Sequence, residues 1–347
     1  MIRGLLGTQG EAYRDIGVGI VGLGQMGVLH AALSSSIGAK VRSICDNESF
    51  LIRIAKKVLP GVNFYSDYSE MVEREDLEAV FICTPANTHL KITSDVIKRA
   101  PRMSVFVEKP LATSYEESLR MVDAAKVASG VTMVGFQKRF AGVFKKAKEL
   151  VSNGALGEIK FFRSHFLGAE VMSPNKGWKY AKGSGGATLE YGVHLLDLIN
   201  WILGEPVMVQ AFEKSIFSRD VEDFVNATVT LDDGVQGTVE VGWSMRNYQP
   251  AELMLEIHGS RGSLNATEDR LRVKLDCDTL AMRQGTHSFH SSSLNPPVPF
   301  LMAHPESVLQ EAHFLDSVRA QTSTSCDFVE GAKANKFVDM IHGTSTD

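Results

Sequence analysis

Cysteine is scarce in this chain and scattered. Cys45, Cys83, Cys277 and Cys326 lie far apart in 347 residues, and no Cys-x-x-Cys occurs. Neither a zinc ribbon nor a disulfide framework is indicated. Cys45 and Cys83 fall in apolar runs and read as small buried hydrophobes. No uninterrupted apolar stretch reaches transmembrane length, so no membrane partner is expected. Met1 to Tyr13 lacks the apolar core of a secretion signal. The expectation is a cytoplasmic protein with a loose leader over residues 1–14. Excess positive charge is missing as well: 36 Lys and Arg stand against 41 Asp and Glu, a net charge of −5. The densest basic cluster, Lys145, Lys146 and Lys148, is interleaved with Val143, Phe144, Ala147, Leu150 and Val151, the pattern of an amphipathic helix with a wet face. No nucleic-acid partner is expected. There is no internal repeat. His287-x-x-His290 has helical ligand spacing but no carboxylate between its members and no apolar flank. It reads as part of a solvated loop or lid, and no metal site is expected.

What is present is organised by glycine. Gly17-Val-Gly-Ile-Val-Gly-Leu-Gly-Gln-Met-Gly27 is a β-branched apolar run that flows into Gly22-x-Gly24-x-x-Gly27 and then a helical pattern from Val28. In that arrangement the first glycine allows a tight turn, the second lets a pyrophosphate approach backbone N–H groups, and the third lets helix and strand pack closely. The segment predicts dinucleotide binding by Gly22, Gly24, Gln25, Met26 and Gly27. A second apolar run, Val41 to Ile44, ends at Asp46, 24 residues after Gly22. A carboxylate there accepts hydrogen bonds from the adenosine ribose and repels a 2′-phosphate. NAD is therefore expected, with NADP the weaker candidate.

Strand-like runs at 17–21, 41–45, 79–84, 104–107 and 131–136 alternate with helical patterns at 48–58, 87–100 and 114–128. This is the signature of an α/β fold, a Rossmann doubly wound parallel sheet. Ligands on such sheets bind beyond the carboxyl ends of the strands. The residues to inspect are therefore Gly22–Gly27, Asp46, Thr84-Pro85-Ala86-Asn87-Thr88-His89, Glu108-Lys109-Pro110 and Gln137–Arg139. After residue 140 the pattern changes. One helix ends near Asn153-Gly154, and strand-like stretches follow at 158–167, 207–215, 224–231, 236–243 and 253–258. Asp232-Asp233-Gly234 is a hairpin signal. The expectation is a second α/β domain with a large, mostly antiparallel open sheet, whose uncovered face is a plausible subunit interface. A helix from about 188 to 203 interrupts it, and two more follow at 305–321 and 328–341. Residues 285–303 read as a long Ser- and Pro-rich loop. The expected boundaries are a leader at 1–14, an NAD-binding domain at 15–138, and a substrate-binding and oligomerisation domain at 139–347 whose terminal helices can pack back on the first.

Three groups carry candidate chemistry. A lysine at 109, directly after an apolar strand, would project over the nicotinamide end of a dinucleotide, where a nearby positive ring lowers its pKa and lets it handle a hydroxyl proton. Pro110 restricts its backbone to extended geometry. The same pair also fits an ordinary surface turn. Glu190, His194 and Asp197 fall at i, i+4 and i+7, within about 60° of one another on an ideal helix. A carboxylate four residues before a histidine can orient the imidazole and stabilise its cation. The same residues also fit a packed histidine and an acid near a helix N-terminus. Thr84 to Asn87 either follows the ribose and nicotinamide or, through Asn87 or Thr88, caps the next helix. Trp178, Lys179, Tyr180 and Tyr191 could line a pocket or simply pack.

Taken together and in this order, Gly22–Gly27, Thr84–His89, Glu108-Lys109-Pro110, Gly135-Phe-Gln-Lys-Arg139 and Gly185-Gly186 through His194 and Asp197 resemble the Gfo/Idh/MocA family of NAD(P)-dependent sugar and inositol oxidoreductases. The resemblance runs from about Ile16 to Ile341. It implies that Lys109 contacts the reacting hydroxyl, that His194 acts as acid and base, and that Gln137 and Arg139 lie near nicotinamide and substrate. It also implies a dimer or tetramer built through the second sheet. Cofactor contacts are expected from Thr84, Pro85, Asn87, His89, Glu108, Lys109 and Gln137, and substrate contacts from Lys109, Arg139, Trp178, Tyr191 and His194. Many relatives carry Asp where this chain has Glu190. The expected activity is oxidation of a secondary hydroxyl of a cyclic sugar, polyol or nucleotide-sugar. The family also contains NAD-dependent sugar-sensing regulators and glycosidases that use bound NAD transiently, so fold alone does not fix the activity.

Overall fold

The computed structural model describes residues 12–280, 282–298 and 304–344. Its chain divides into two compact units. The first carries a six-stranded sheet of β1 (Gly17–Val21), β2 (Lys40–Cys45), β3 (Asn63–Tyr65), β4 (Ala79–Ile82), β5 (Ser104–Val107) and β6 (Thr132–Val134). The order is β3-β2-β1-β4-β5-β6 and every pairing is parallel. Strands buried on both faces need apolar side chains throughout, and Ala79–Ile82 and Ser104–Val107 have no exposed position. The order reverses between β1 and β4, which puts the crevice for a ligand at their carboxyl ends. The first unit also includes the helix Pro305–Ala320, whose Phe314 meets Phe81 and Phe106 edge-on at 5.2 and 5.5 Å between centroids. Tyr13, inside the expected leader, is buried here: its hydroxyl donates to Asp316 at 3.0 Å and its ring lies under Arg319.

The second unit is built on an eight-stranded sheet. Its strands are β7 (Ile159–Leu167), β8 (Pro206–Lys214), β9 (Phe224–Leu231), β10 (Gln236–Gly242), β11 (Glu252–Gly259), β12 (Gly262–Thr267), β13 (Arg270–Leu275) and β14 (Gly285–His290). The order is β14-β13-β12-β11-β7-β10-β9-β8, antiparallel except where β7 meets β10. The helices Gly142–Ser152 and Val193–Ile202 pack on one face. Side chains alternate accordingly: β13 reads exposed, buried, exposed, buried along its length. The opposite face presents Phe161, Arg163, Met208, Phe212 and Thr228.

Several expectations change. β3 and the helix Tyr68–Arg74 occupy a stretch without a strong pattern. β12 and β13 extend the second sheet beyond the expected strands. The long loop expected at 285–303 is replaced, over its first part, by β14 and the short helix Ser291–Leu294; residues 299–303 lie outside the described residues. β14 is a polar edge strand with little side-chain burial, so it carries no apolar alternation to reveal it. His287 and His290 therefore lie on a strand paired with β13, with His287 Nε2 at 2.8 Å from the Arg283 carbonyl. Among the described residues no cluster of metal-ligating side chains occurs, and no helix is long and apolar enough to cross a membrane.

Candidate active site

In the first unit the glycine loop is shaped for close approach. Gly22 has φ +98°, and a side chain there would meet the Cys83 carbonyl at 2.7 Å. A methyl on Gly27 would collide with the Gly22 carbonyl. At Gly24, by contrast, an added carbon meets nothing within 4 Å, so the loop opens there. The helix Gln25–Ser36 starts at Gly24 with no side-chain cap and no acid in its first turn. Its leading N–H groups and the positive end of its dipole are thus available to an anion. That combination fits the pyrophosphate of a dinucleotide. Asp46, at the end of β2, is held by backbone: Oδ2 accepts Leu23 N–H at 2.6 Å and Oδ1 accepts Glu48 N–H at 2.7 Å. Both bonds fix the carboxylate beside the loop.

Thr84 and Pro85 follow β4, and Asn87 is exposed on the single turn Ala86–Thr88. Thr88 does not cap the following helix; its hydroxyl bonds Thr84 Oγ1 and the Pro85 carbonyl. His89, expected at the cofactor, is buried and bridges two loops. Its Nδ1 lies 2.9 Å from the Pro110 carbonyl and its Nε2 2.8 Å from the Thr84 carbonyl. Burial holds its pKa below the ordinary histidine value, against the pull of those carbonyls. Glu108 also departs from expectation. Only 4% exposed, its carboxylate points into the unit, to His30, and not to the crevice. Its other oxygen accepts the backbone N–H of Lys109 at 3.1 Å. Lys109 is half-buried and precedes a cis Pro110.

In the second unit, Gln137 opens the turn Gln137–Phe140. Arg139, expected beside the substrate, is 2% exposed. Its guanidinium forks onto Asp197, Nε at 2.8 Å from Oδ2 and Nη2 at 2.6 Å from Oδ1, and lies 5.6 Å from the Trp201 ring. This is a buried bidentate ion pair, and it takes Asp197 out of the expected stripe with Glu190 and His194. The stripe is altered again by geometry: Thr188–Gly192 is a turn of π-helix before the α-helix Val193–Ile202. A wider turn breaks the simple 100° spacing, and such turns are common at functional sites. Glu190 and His194 are both buried on this segment. Lys179 Nζ stands 3.4 Å from Glu190 Oε2. Trp178 is half-buried with the Lys179 ammonium 5.9 Å from its ring. Tyr191 stacks on Phe166 at 4.4 Å and donates to Glu170 at 3.0 Å; burial, then Glu170, raises its pKa.

Sequence reasoning missed Glu222. Its carboxylate accepts Thr188 N–H at 2.8 Å and its carbonyl accepts Ala187 N–H at 3.1 Å, anchoring the start of the segment that carries His194. Burial pushes its carboxyl pKa up. Nothing in the run Asp220–Phe224 announces that role. His30, Ser34 and Glu311 were missed too; each is a polar residue on the buried side of its helix, among other polar ones.

Two family models match the chain: an oxidoreductase family with an NAD-binding Rossmann fold over residues 16–136, and a GFO/IDH/MocA C-terminal domain over 144–265. Myo-inositol 2-dehydrogenase of Thermotoga maritima is 30% identical over 261 residues, 73% of this chain and 75% of its own length. Levoglucosan dehydrogenase of Pseudarthrobacter phenanthrenivorans is 26% identical over 94% of this chain and 95% of its own. A solved levoglucosan dehydrogenase, in complex with NADH and levoglucosan, superposes with a TM-score of 0.83 at 25% identity, covering 95% of this chain and 96% of that one. The glycine loop, the parallel sheet that presents it, and these matches lead to one conclusion: the chain belongs to the Gfo/Idh/MocA family of NAD(P)-dependent oxidoreductases.

Proposed function

We propose that this protein is an NAD(H)-dependent dehydrogenase that oxidises a secondary hydroxyl of a cyclic sugar, polyol or nucleotide-sugar. The observation that carries the reading is Lys109, set at the carboxyl end of β5 with its backbone tied to the buried Glu108. The sheet is one whose glycine loop stands open at Gly24. Gly22, Gly24, Gln25, Met26 and Gly27 hold the pyrophosphate. Asp46 accepts the adenosine ribose hydroxyls, and Thr84, Pro85 and Asn87 follow the chain of the cofactor. Bound NAD supplies the hydride acceptor, C4 of its nicotinamide. Lys109 donates a hydrogen bond to the substrate oxygen and steadies the negative charge that gathers there. His194 accepts the hydroxyl proton, and Glu190 orients the imidazole and balances its charge. Lys179 shares the Glu190 carboxylate. Trp178 and Tyr191 offer apolar faces to the sugar ring, with Gln137 near the nicotinamide.

Purified protein mixed with NAD+ and a panel containing myo-inositol and levoglucosan tests the reading by NADH absorbance. Turnover on at least one cyclic polyol or sugar is the expected result. Sugar binding by calorimetry with no NADH across the panel supports a sensor instead, and release of a glycosidic leaving group without net NAD reduction supports a hydrolase. Asp46→Ser is expected to shift the ratio of kcat/KM values toward NADP+ by about tenfold or more, about 1.4 kcal/mol, because the carboxylate that disfavours a 2′-phosphate is gone.

The open face of the second sheet is proposed as the contact between copies in a homodimer or homotetramer. Phe161 and Phe212 stand exposed on it. Phe161→Glu is expected to lower the mass measured by light scattering; an unchanged mass removes this face from the interface.

A further inference from the structure

A buried polar cluster in the first unit is not used by that mechanism. His30 stands one turn beyond Gly27 and is 1% exposed. Its ring lies against Phe81 and Phe106, with centroids 5.1 and 4.9 Å away. Nδ1 is 2.8 Å from Glu311 Oε2, and Nε2 is 2.9 Å from Glu108 Oε1. Ser34 donates to the other oxygen of Glu311. The other oxygen of Glu108 receives the backbone N–H of Lys109. An ionised carboxylate only accepts, so two of them on the two ring nitrogens require both nitrogens to carry protons. A neutral ring would set lone pair against lone pair in a site that water does not reach, where an unmade hydrogen bond is most costly.

We propose that His30 is a positioning residue for Lys109. As an imidazolium it fixes the Glu108 carboxylate, and through it the Lys109 backbone, to the helix that follows the glycine loop and to the helix Pro305–Ala320. The inference rests on the reading that Lys109 works on the reacting hydroxyl. Burial favours the neutral ring, but Glu311 and Glu108 outweigh it and raise the pKa from 6.5 to about 10. Among the described residues, the charged groups that act on the ring are these two acids; Cys83 at the end of β4 feels both carboxylates and burial raises its thiol pKa, and the buried His89 feels Glu108. Phe81 and Phe106 lie against the ring without charge, and Phe314 packs on both of them. Because the folded pKa is raised, the stabilisation is complete below the unfolded value of 6.5 and is lost as pH rises through about 10.

Nitrogen NMR of histidine-labelled protein without substrate tests the charge state. A His30 signal with both nitrogens protonated from about pH 7 to about pH 9 is expected; a neutral tautomer in that range overturns the proposal. His30→Gln is expected to lower kcat about 10²-fold, the scale of a misplaced reacting group, with NAD+ affinity held within about twofold. Should that variant not fold, Glu311→Gln supplies the test. It leaves Glu108 and Lys109 intact but removes the negative charge that favours the imidazolium, so the alkaline limb of the kcat profile is expected to move down by about one pH unit or more. An unmoved pH profile in Glu311→Gln overturns the proposal, as does wild-type kcat in His30→Gln. The two readings fail separately. If Lys109→Ala is inactive while His30→Gln is fully active, only the positioning role falls; if Lys109→Ala is fully active, the dehydrogenase mechanism falls first.

Discussion

Lys109→Ala is expected to lower kcat by about 10²–10⁴-fold, the range for removing a positioned acid or base. Binding of NAD+, measured by calorimetry, should stay within about twofold. The separation follows from where the residue sits. The pyrophosphate is assigned to the glycine loop and the ribose to Asp46, whereas Lys109 lies at the end of β5 with its main chain held by Glu108 through backbone, which alanine retains. What alanine removes is the side chain beyond Cβ, the three-carbon stem and the ammonium it carries. The substrate KM should change less than kcat, because the developing charge on oxygen is stronger at the transition state than in the alcohol. Equal kcat in the variant and the parent, on any substrate that reduces NAD+, would remove the lysine from the chemistry.

Asp197→Ala is expected to destabilise the protein by about 3–5 kcal/mol, the cost of leaving a buried charge without its partner. For a unit of this size the thermal midpoint should fall by about 6–20 °C. Arg139 is 2% exposed and its fork is matched to both carboxylate oxygens of Asp197. With the carboxylate gone, the guanidinium cannot reach water without opening the packing around Trp201. Arg139→Lys should lose less, since charge is kept and only the two-pronged geometry is lost. Scanning calorimetry separates this account from the substrate-binding role that the family resemblance implies for Arg139. An unchanged midpoint with a large rise in KM would return Arg139 to the substrate.

The parallel sheet was legible because its strands are nearly continuous apolar runs and the residues beyond their ends are where chemistry collects. That rule drew the eye to Asp46 and Lys109, helped by the spacing of Asp46 from Gly22 and by the family resemblance at Lys109. The same rule misassigned His89 and Glu108, because position after a strand does not tell which way a side chain turns. His89 bridges two carbonyls and Glu108 turns inward. Arg139 misled for a related reason: its partner Asp197 is 58 residues away, and the two meet only through folding. The Glu190–His194–Asp197 stripe assumed regular α-helical winding, which the π turn at Thr188–Gly192 does not follow. β14 was missed because an edge strand need not alternate. The tie between Glu311 and His30 spans 281 positions, beyond the reach of any local pattern.

That distance bears on how the polypeptide is made. Phe81 and Phe106 receive Phe314, the edge of β6 is met by the Cys326 carbonyl at Val134 N–H, 2.8 Å away, and Thr324 donates to the Thr132 carbonyl. A ribosome that has released only the nucleotide-binding half has therefore released an unfinished one, with two aromatic rings uncovered and Glu311 not yet synthesised. Residues 305–326 complete what the first strands began, and a gene truncated after the second sheet would yield a cofactor-binding half with its interior open to solvent.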